Sequence, residues 1–365
     1  MKTSTERFTG FTRGMGIGGW LTNYKRFNVL PEARQFELTV GDFEHFAAYI
    51  TREDIAYLAE LGMDHVRLGF DQIVLEAAPG QYREETFAHI DRFLEWCREF
   101  GLYPVLNLHK AVGNYCDVQR GPALLEDAAL QERFIALWQT FERRYHGIDA
   151  AFELLNEVRD VPPEDWNRLA GQTLAALRAE NSDRVVIIGS TDWNSPKTLR
   201  FLRQYDDPYV VYTFHQYEPF EFTHQRGVLV SSTHLYNREM PYPGEIERYR
   251  DFRATVCGES SAYPELERMD RRYLEQVLRP AIEFRQQHPQ QCLWCGEFGT
   301  IRHICPAWRE NWMRDMIAIL TENGISYCVW NYLSTPYDGN RFSLVDDDTR
   351  RILTPGLAAV IRGEG

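Results

Sequence analysis

The chain has 365 residues, of which 44% are hydrophobic and 13% aromatic, and its formal net charge is −13. The hydrophobic content is enough for a large core, and α/β barrels with long loops commonly reach this length as one domain. The acidic balance argues against nucleic acid and anionic membrane surfaces as partners, so we expect a neutral partner.

The N-terminal segment, MKTSTERFTGFTRG, has no apolar signal core. We therefore expect a cytoplasmic protein, or a secreted one whose signal peptide is absent from this sequence. No stretch approaches the ~18 consecutive apolar residues of a membrane span. The following GMGIGGW offers the glycines of a dinucleotide-binding turn, but LTNYKRFNVLP after it reads as loop where that motif needs a helix. We expect no nucleotide and no other cofactor.

Short apolar segments that read as buried strands recur along the whole chain, with amphipathic helical stretches between them. The predicted strands lie at 14–18, 64–69, 103–108, 151–155, 184–189, 209–214, 291–296 and 325–330. Predicted helical stretches include 52–61, 84–100, 127–145, 164–180 and 307–322. Eight strands, each followed by a helical stretch, indicate a single-domain (β/α)8 TIM barrel spanning residues 1–365 rather than an open sheet.

A long insertion, residues 216–265, follows the sixth predicted strand and is rich in Tyr, Pro, Gly and His. A loop of this length inside a compact domain is more often functional than a plain connection. We expect it to shape a substrate cleft.

The seven cysteines form an odd set without the density of a disulfide scaffold. Cys292 and Cys295 make a CxxC, but it lies inside an apparent strand and no second CxxC faces it. The sequence therefore argues against a zinc site, and reduced thiols favour the cytoplasm.

Candidate functional residues lie at the strand ends, because active sites of such barrels form at the carboxyl ends of the strands. Two apolar runs end in a glutamate, FELLNE at Glu157 and LWCGE at Glu297. Two carboxylates on separate strands are typical of a retaining glycosidase, which needs a general acid/base and a nucleophile. The other strand-end candidates are Arg67, His109, Asn156, His215, Tyr217 and Trp330.

Each of these residues has an ordinary structural explanation when it is considered alone. A lone Arg is usually in an ion pair, a lone His is usually a satisfied core residue, and a strand-end Trp is usually packed. Their joint occurrence at the ends of six strands on one face of a barrel is hard to attribute to chance.

In this order the residues resemble glycoside hydrolase family 5, the cellulase-like group of retaining β-glycosidases on a (β/α)8 barrel. That family has Arg after strand two, His after strand three, Asn-Glu after strand four, His-x-Tyr after strand six, Glu after strand seven and Trp after strand eight. The sequence supplies Arg67, His109, Asn156-Glu157, His215-x-Tyr217, Glu297 and Trp330. The opening GIGGWL also resembles the family's NLGGWL, whereas NLHK replaces the more usual DLH around His109.

The resemblance implies that Glu297 is the nucleophile and must be ionised. We expect Arg67 to hold its pKa down and Tyr217 to donate a hydrogen bond to it. Glu157 is then the general acid/base, and repulsion from Glu297 is expected to raise its pKa.

The remaining candidates are expected to bind the substrate. Asn156 is placed to hydrogen-bond the sugar 2-hydroxyl. His109 and His215 are interpreted as partners of sugar hydroxyls or carboxylates rather than as metal ligands, so no metal site is predicted. Trp330 would form a stacking floor for the sugar.

A second glutamate, Glu259 in ATVCGES, also ends a short apolar run in Cys-Gly-Glu. We favour Glu297 as nucleophile, because its strand is more apolar and a helix and a strand follow it at βα spacing. Residues 260–265 read as loop.

The sequence thus predicts a retaining β-glycosidase that hydrolyses β-glucosidic bonds in glucan or gluco-oligosaccharides, with a carbohydrate as its partner. Exo-acting β-glucosidase and β-mannanase activities remain alternatives on the same scaffold. A metal-dependent barrel hydrolase using His109, His215 and carboxylates is an alternative from another class. A sugar-binding barrel without catalysis is a third, which the presence of both Glu157 and Glu297 disfavours.

Overall fold

The computed structural model describes residues 11–22, 38–114, 123–180, 183–336 and 338–364. Most of LTNYKRFNVLP, predicted as loop, and Cys116 lie outside the described residues. None of the helices in the described ranges is long and apolar enough to cross a membrane.

Eight parallel strands close into a barrel, which confirms the predicted (β/α)8 fold. We number them in chain order as β1 Arg13–Leu21, β2 His65–Asp71, β3 Tyr103–Lys110, β4 Ala151–Glu153, β5 Val185–Gly189, β6 Val210–Gln216, β7 Cys292–Phe298 and β8 Ser326–Val329. Each strand pairs with its neighbours in the chain, and β1 closes the barrel by pairing with β8. All strand carboxyl ends therefore open at one face.

The longer helices surround the barrel. They are α1 Val40–Ala48, α2 Arg52–Glu60, α3 Glu84–Phe100, α4 Ala128–Arg144, α5 Pro163–Glu180, α6 Ile246–Phe252, α7 Arg271–Gln287, α8 Pro306–Glu322 and α9 Pro355–Arg362. In α3 the buried residues Phe87, Ile90, Phe93 and Cys97 recur every three or four positions, so one face packs inward. The helix ends at Gly101, whose positive φ of 68° suits a helix C-terminus.

The connection after β5 differs from the expectation that a helical stretch follows every strand. It contains the short turn Thr191–Asn194 and a three-ten helix, Pro196–Phe201, but no longer α-helix. Asp192, Trp193 and Asn194 all have positive φ, and a right-handed helix cannot continue through them.

The insertion after β6 is more ordered than the predicted loop. It contains the helical segments Phe220–Thr223, Ser231–Tyr236, α6 and Arg253–Cys257. Tyr242 and Tyr249 are buried, and the Tyr242 hydroxyl donates to Asp315 of α8 at 2.8 Å. The insertion folds because its aromatic residues extend the core that lies between barrel and helices.

The barrel interior is filled below the open face by Trp294, whose indole Nε1 lies 3.2 Å from His65 Nε2. Cys292 belongs to this inner cluster and Cys295 to the outer core, as expected for residues three apart on a strand. The CxxC is thus split between two faces of β7.

Candidate active site

The structure brings the eight predicted site residues to the carboxyl end of the barrel. Six of them, Arg67, Asn156, Glu157, His215, Tyr217 and Glu297, are joined by hydrogen bonds or ion pairs. The other two, His109 and Trp330, stack on each other at 5.8 Å between ring centroids.

Arg67 of β2 is fully buried and organises the site. Its Nε and Nη2 donate to the two oxygens of Glu153 at 2.6 and 2.9 Å, and Nη2 also donates to Asn156 Oδ1 at 2.7 Å. Its Nη1 forms an ion pair with Glu297 Oε1. Burial opposes the charged form, but the carboxylates of Glu153 and Glu297 outweigh it and raise the pKa of Arg67.

Glu153 is a site residue that the sequence reasoning missed. It lies in β4 and is fully buried, with both oxygens held by Arg67. A signal was present, since a glutamate inside the apolar run AFELL requires a buried cationic partner. It lies within the strand, whereas active-site residues of such barrels are expected at the strand ends.

Glu297 is nearly buried, and each of its oxygens is engaged by a donor. Arg67 holds Oε1, and the Tyr217 hydroxyl donates to Oε2 at 2.9 Å. Burial and the neighbouring Glu297 carboxylate raise the pKa of Tyr217, so the phenol remains a donor. The carboxylate is thereby fixed in orientation.

Glu157 follows β4 with a positive φ of 47°, and its side chain is 20% exposed. Burial in the cleft raises its pKa to about 7, and Glu153 adds to the rise, while Arg67 and Lys110 oppose it. The expected rise of this pKa is thus present, but burial is its main cause and repulsion from Glu297 is not. Burial dominates, and Arg67 lies against Glu297 and compensates its charge.

His215 joins the two glutamates. Its Nδ1 lies 2.9 Å from Glu157 Oε1 and 3.8 Å from Glu297 Oε2. Burial lowers the pKa of His215 to about 4, so the imidazole is neutral near neutral pH. Its Nε2 lies 3.2 Å from Nδ2 of Asn194, a second residue that the sequence reasoning missed and for which the sequence holds no local signal.

Glu157, His215 and Glu297 each offer one atom that could bind a metal ion, a carboxylate oxygen or a ring nitrogen. These three atoms lie within 4.8 Å of one another. Such a group could attract a divalent cation, but its atoms are already engaged by Arg67, Tyr217 and each other. The cationic guanidinium against Glu297 also disfavours a second cation there. We therefore interpret the group as an acid–base cluster.

Trp330 lies half-buried beside β1, where the glycines of GIGGWL make room for it. A Cβ on Gly18 would lie 2.4 Å from the indole, and one on Gly16 would lie 2.8 Å from it. His109, which stacks on the indole, places its Nδ1 3.1 Å from Asn107 Oδ1.

The lysine of NLHK, Lys110, lies 3.4 Å from an Asp71 oxygen, and both side chains are buried. The residue that departs from DLH is Asn107, whose Oδ1 lies 3.1 Å from His109 Nδ1.

A cavity of about 150 Å³ opens next to Trp330 and His109. It is lined from β1, β2 and the segment after β8, and by Leu229 of the insertion. A larger cavity of about 860 Å³ contains Phe11 and Tyr103, at the amino-terminal end of the barrel, and none of the predicted residues. Since the predicted site residues lie at the opposite end, we interpret the smaller cavity as part of the cleft.

Glu259 lies away from this cluster. The preceding Arg253–Cys257 is a π-helical turn with no buried residue, and the Glu259 side chain is 56% exposed. It forms an ion pair with Arg253 at 3.6 Å. The apolar letters of ATVCGES do not form a strand.

A family model described as cellulase (glycosyl hydrolase family 5) matches residues 28–335. The chain belongs to this family. It is 37% identical over 335 residues to endoglucanase C of Acetivibrio thermocellus, covering 90% of this chain and 93% of that protein. It is 29% identical over 323 residues to cellodextrinase A of Ruminococcus flavefaciens, covering 87% and 84% respectively.

Solved structures show the same fold. Endoglucanase Cel5A from the hyperthermophilic Thermotoga maritima is similar with a TM-score of 0.74 and 22% identity, covering 98% of this chain and 99% of that one. The family 5 resemblance read from the strand ends is thus confirmed, and the protein is a glycoside hydrolase.

Proposed function

We propose that this family 5 enzyme hydrolyses β-glucosidic bonds of glucan and gluco-oligosaccharides by a retaining double displacement. The observation that carries the proposal is the approach of a Glu157 oxygen and a Glu297 oxygen to within 4.8 Å. Retaining enzymes hold their carboxyls about 5–5.5 Å apart, whereas inverting enzymes need about 6.5–9.5 Å to admit a water.

In the first step a Glu297 oxygen attacks the anomeric carbon and the bond to the leaving oxygen breaks. Glu157 gives its proton to that oxygen, so the leaving sugar departs as an alcohol. A pKa of about 7 keeps much of Glu157 protonated at neutral pH. In the second step Glu157 takes a proton from water, which attacks the anomeric carbon and releases Glu297.

The surrounding residues support these two roles. Arg67 and Tyr217 fix the nucleophile through one oxygen each. Asn156, held by Arg67, is placed for the sugar 2-hydroxyl. Trp330, with His109 stacked on it, provides a flat surface for the sugar ring.

The names of the relatives support a β-glucan as substrate, because endoglucanase C and cellodextrinase A align along most of this chain. We propose that the insertion, residues 216–265, shapes the cleft for this substrate. Leu229 lines the cavity, and the backbone amides of Val228 and Leu229 donate to Asn340 Oδ1 at 2.8 and 3.0 Å.

The nucleophile is tested by azide rescue of Glu297→Ala on an activated aryl β-cellobioside. Hydrolysis should be nearly abolished, and azide entering the space of the lost carboxylate should give an α-glycosyl azide. Glu259→Ala is the matched control from the second Cys-Gly-Glu and should retain normal turnover. Near-normal activity of Glu297→Ala would overturn the assignment.

The stereochemistry is tested on the wild-type enzyme by following the first-formed sugar by proton NMR. We expect the β anomer from barley β-glucan or cellotetraose, and faster hydrolysis of these than of β-mannan. An initial α anomer would exclude the retaining mechanism. Added EDTA should leave the rate unchanged.

A further inference from the structure

Asn194 is fully buried beneath His215. Its Nδ2 lies 3.2 Å from His215 Nε2, and on the other side of the ring His215 Nδ1 lies 2.9 Å from Glu157 Oε1. Asn194 Oδ1 is buried and has no hydrogen-bond partner in the described part of the chain. An amide, an imidazole and a carboxyl group thus form one hydrogen-bonded row.

The fold holds this amide in place at a conformational cost. Asp192, Trp193 and Asn194 have φ values of 56°, 55° and 54°, a left-handed run that L-residues rarely adopt. At the end of β5, a Cβ on Gly189 would lie 2.6 Å from Asn194 Oδ1, so only glycine leaves room for the amide there. The left-handed backbone at Asn194 and the absence of a side chain at Gly189 both favour one position of the Asn194 amide.

We propose that Asn194 is a positioning residue for Glu157, acting by fixing the tautomer of His215. Its Nδ2 donates to Nε2, so the ring proton stays on Nδ1 and is donated to Glu157 Oε1. Glu157 Oε1 is then an acceptor, and the acid proton of Glu157 must lie on Oε2. This inference rests on the proposed function, in which Glu157 is the acid/base.

A neutral imidazole has one donor nitrogen and one acceptor nitrogen. The hydrogen bond at one ring nitrogen decides which nitrogen carries the proton. With the proton on Nε2 instead, Nδ1 would become an acceptor for the Glu157 proton and withhold it from the leaving group. The Asn194 amide prevents this arrangement by donating to Nε2.

The surroundings keep the ring neutral, as this role requires. Burial is the largest influence and lowers the pKa of His215 to about 4. The charged or titratable groups around the His215–Glu157 pair are Glu297, Arg67, Glu153, Tyr217 and Lys110. Arg67 opposes protonation of His215, whereas Glu297 and Glu153 favour it.

An aspartate at position 194 would reverse the arrangement while keeping the side-chain shape. A carboxylate has no donor, so it would accept from Nε2–H and stabilise the imidazolium. The imidazolium would in turn favour ionised Glu157. Asn194→Asp is therefore expected to shift the basic limb of the kcat/KM profile to lower pH by about one unit.

Leaving groups provide a second readout in the same variant. At pH 7, Asn194→Asp should slow a cello-oligosaccharide with a poor leaving group about tenfold, and a 2,4-dinitrophenyl β-cellobioside less than about twofold. Asp192→Asn is the matched control. It removes a charge from the same turn, is exposed, and should leave the pH profile unchanged.

The tautomer is observed directly by ¹⁵N NMR of histidine-labelled wild-type enzyme, with His215 assigned through its loss in His215→Gln. We expect a neutral ring protonated on Nδ1. A ring protonated on Nε2 would overturn the proposal even if Asn194→Asp failed to fold.

The proposal would also be overturned if folded Asn194→Asp kept the wild-type basic limb and the wild-type dependence on the leaving group. If azide rescue and product stereochemistry support the two glutamates while the tautomer is wrong, only this inference fails. In the His215→Gln background, Asn194→Asp should cause no further shift of the basic limb.

Discussion

At the residue scale, the site depends on one buried cation that serves several partners. Arg67 holds Glu153, Glu297 and Asn156 at once, and its guanidinium is closed off from water. A buried charge of this kind is tolerable only while its partners remain. Glu153 therefore supports the proposed catalytic geometry through Arg67.

We predict that Glu153→Gln lowers both stability and activity. Removing one partner of a buried ion pair costs about 3–5 kcal/mol, because the other charge stays buried. The free energy of unfolding in urea should fall by that order, and kcat of the folded enzyme should fall as well, since Arg67 is free to reorient on Glu297.

The chain offers a matched control in a second buried pair. Glu142 accepts from Arg184 at 2.6 Å, and both side chains are buried away from the site. Glu142→Gln should lower stability comparably but leave kcat of the folded enzyme unchanged. Equal losses of kcat in both variants would argue that Glu153 has no special link to the site.

The raised pKa of Glu157 leads to a prediction about both rate and stability. Its pKa rises from the ordinary 4.5 to about 7, so the folded protein binds a proton more tightly than the unfolded chain. The stabilisation of the fold by protonated Glu157 is complete below pH 4.5, the pKa in the unfolded chain. It is lost as the pH rises to about 7, the pKa in the folded protein. Relative to low pH, ionised Glu157 therefore lowers the free energy of unfolding at pH 8 by on the order of 3 kcal/mol.

Glu157→Gln should therefore be more stable than the wild type at pH 8, and about equal to it at pH 4, in urea unfolding. The same variant should lose about 10²–10⁴-fold in rate on poor leaving groups and far less on activated aryl glycosides. A stability difference that does not change with pH would contradict the raised pKa.

The strand-end residues could be found from the sequence because barrel topology alone brings strand ends together. Glu153 and Asn194 could not be identified as site residues in this way. The first requires knowing that its side chain points at Arg67, and the second requires the left-handed turn after β5. Apolar patterning predicts neither the direction of a buried polar side chain nor a left-handed backbone turn.

At the scale of elements, strands and long helices were predictable and their connections were not. The prediction of 151–155 as a strand placed it correctly, but β4 ends at Glu153, because Asn156 and Glu157 turn into the cleft. The Tyr, Pro and Gly content of the insertion predicts a loop, whereas the structure orders it through the buried rings of Tyr242 and Tyr249. Composition gives no information on which of these rings are buried.

The insertion also supports a prediction on substrate preference. Leu229 is 50% exposed and lines the cavity beside Trp330, whereas Leu235 is 73% exposed and does not line it. Leu229→Ala should change kcat/KM about 3- to 10-fold on longer cello-oligosaccharides, the range expected for lost apolar contact. Cellobiosides with small leaving groups should respond less.

Leu235→Ala is the control from the same segment and should alter neither chain-length preference nor melting temperature. Chain-length preference is measured as kcat/KM on cellotriose to cellohexaose for each variant. Melting temperature is measured on the same variants. Identical profiles for Leu229→Ala and the wild type would mean that the insertion borders the cleft without contacting substrate.

At the scale of the whole molecule, the fold was predictable because each level of the sequence agrees with the barrel. Strand-like and helical segments alternate, and the apolar strands suit burial on both faces. The same scale carries the net charge of −13, which no single site residue explains. We expect this charge to influence which polymers approach the cleft.

A protein of this charge repels anionic chains over a distance that salt controls. The screening length is about 30 Å at 0.01 M salt and about 10 Å at 0.1 M. We predict that kcat/KM on carboxymethyl cellulose rises several-fold between these salt concentrations, since screening removes the repulsion. Hydroxyethyl cellulose is the neutral control, and its kcat/KM should change less than about twofold. Initial rates of reducing-end release from the two polymers, measured in parallel, make the comparison. An equal response of both polymers would show that the net charge does not act on substrate approach. The preference for a neutral substrate would then depend on contacts within the cleft alone.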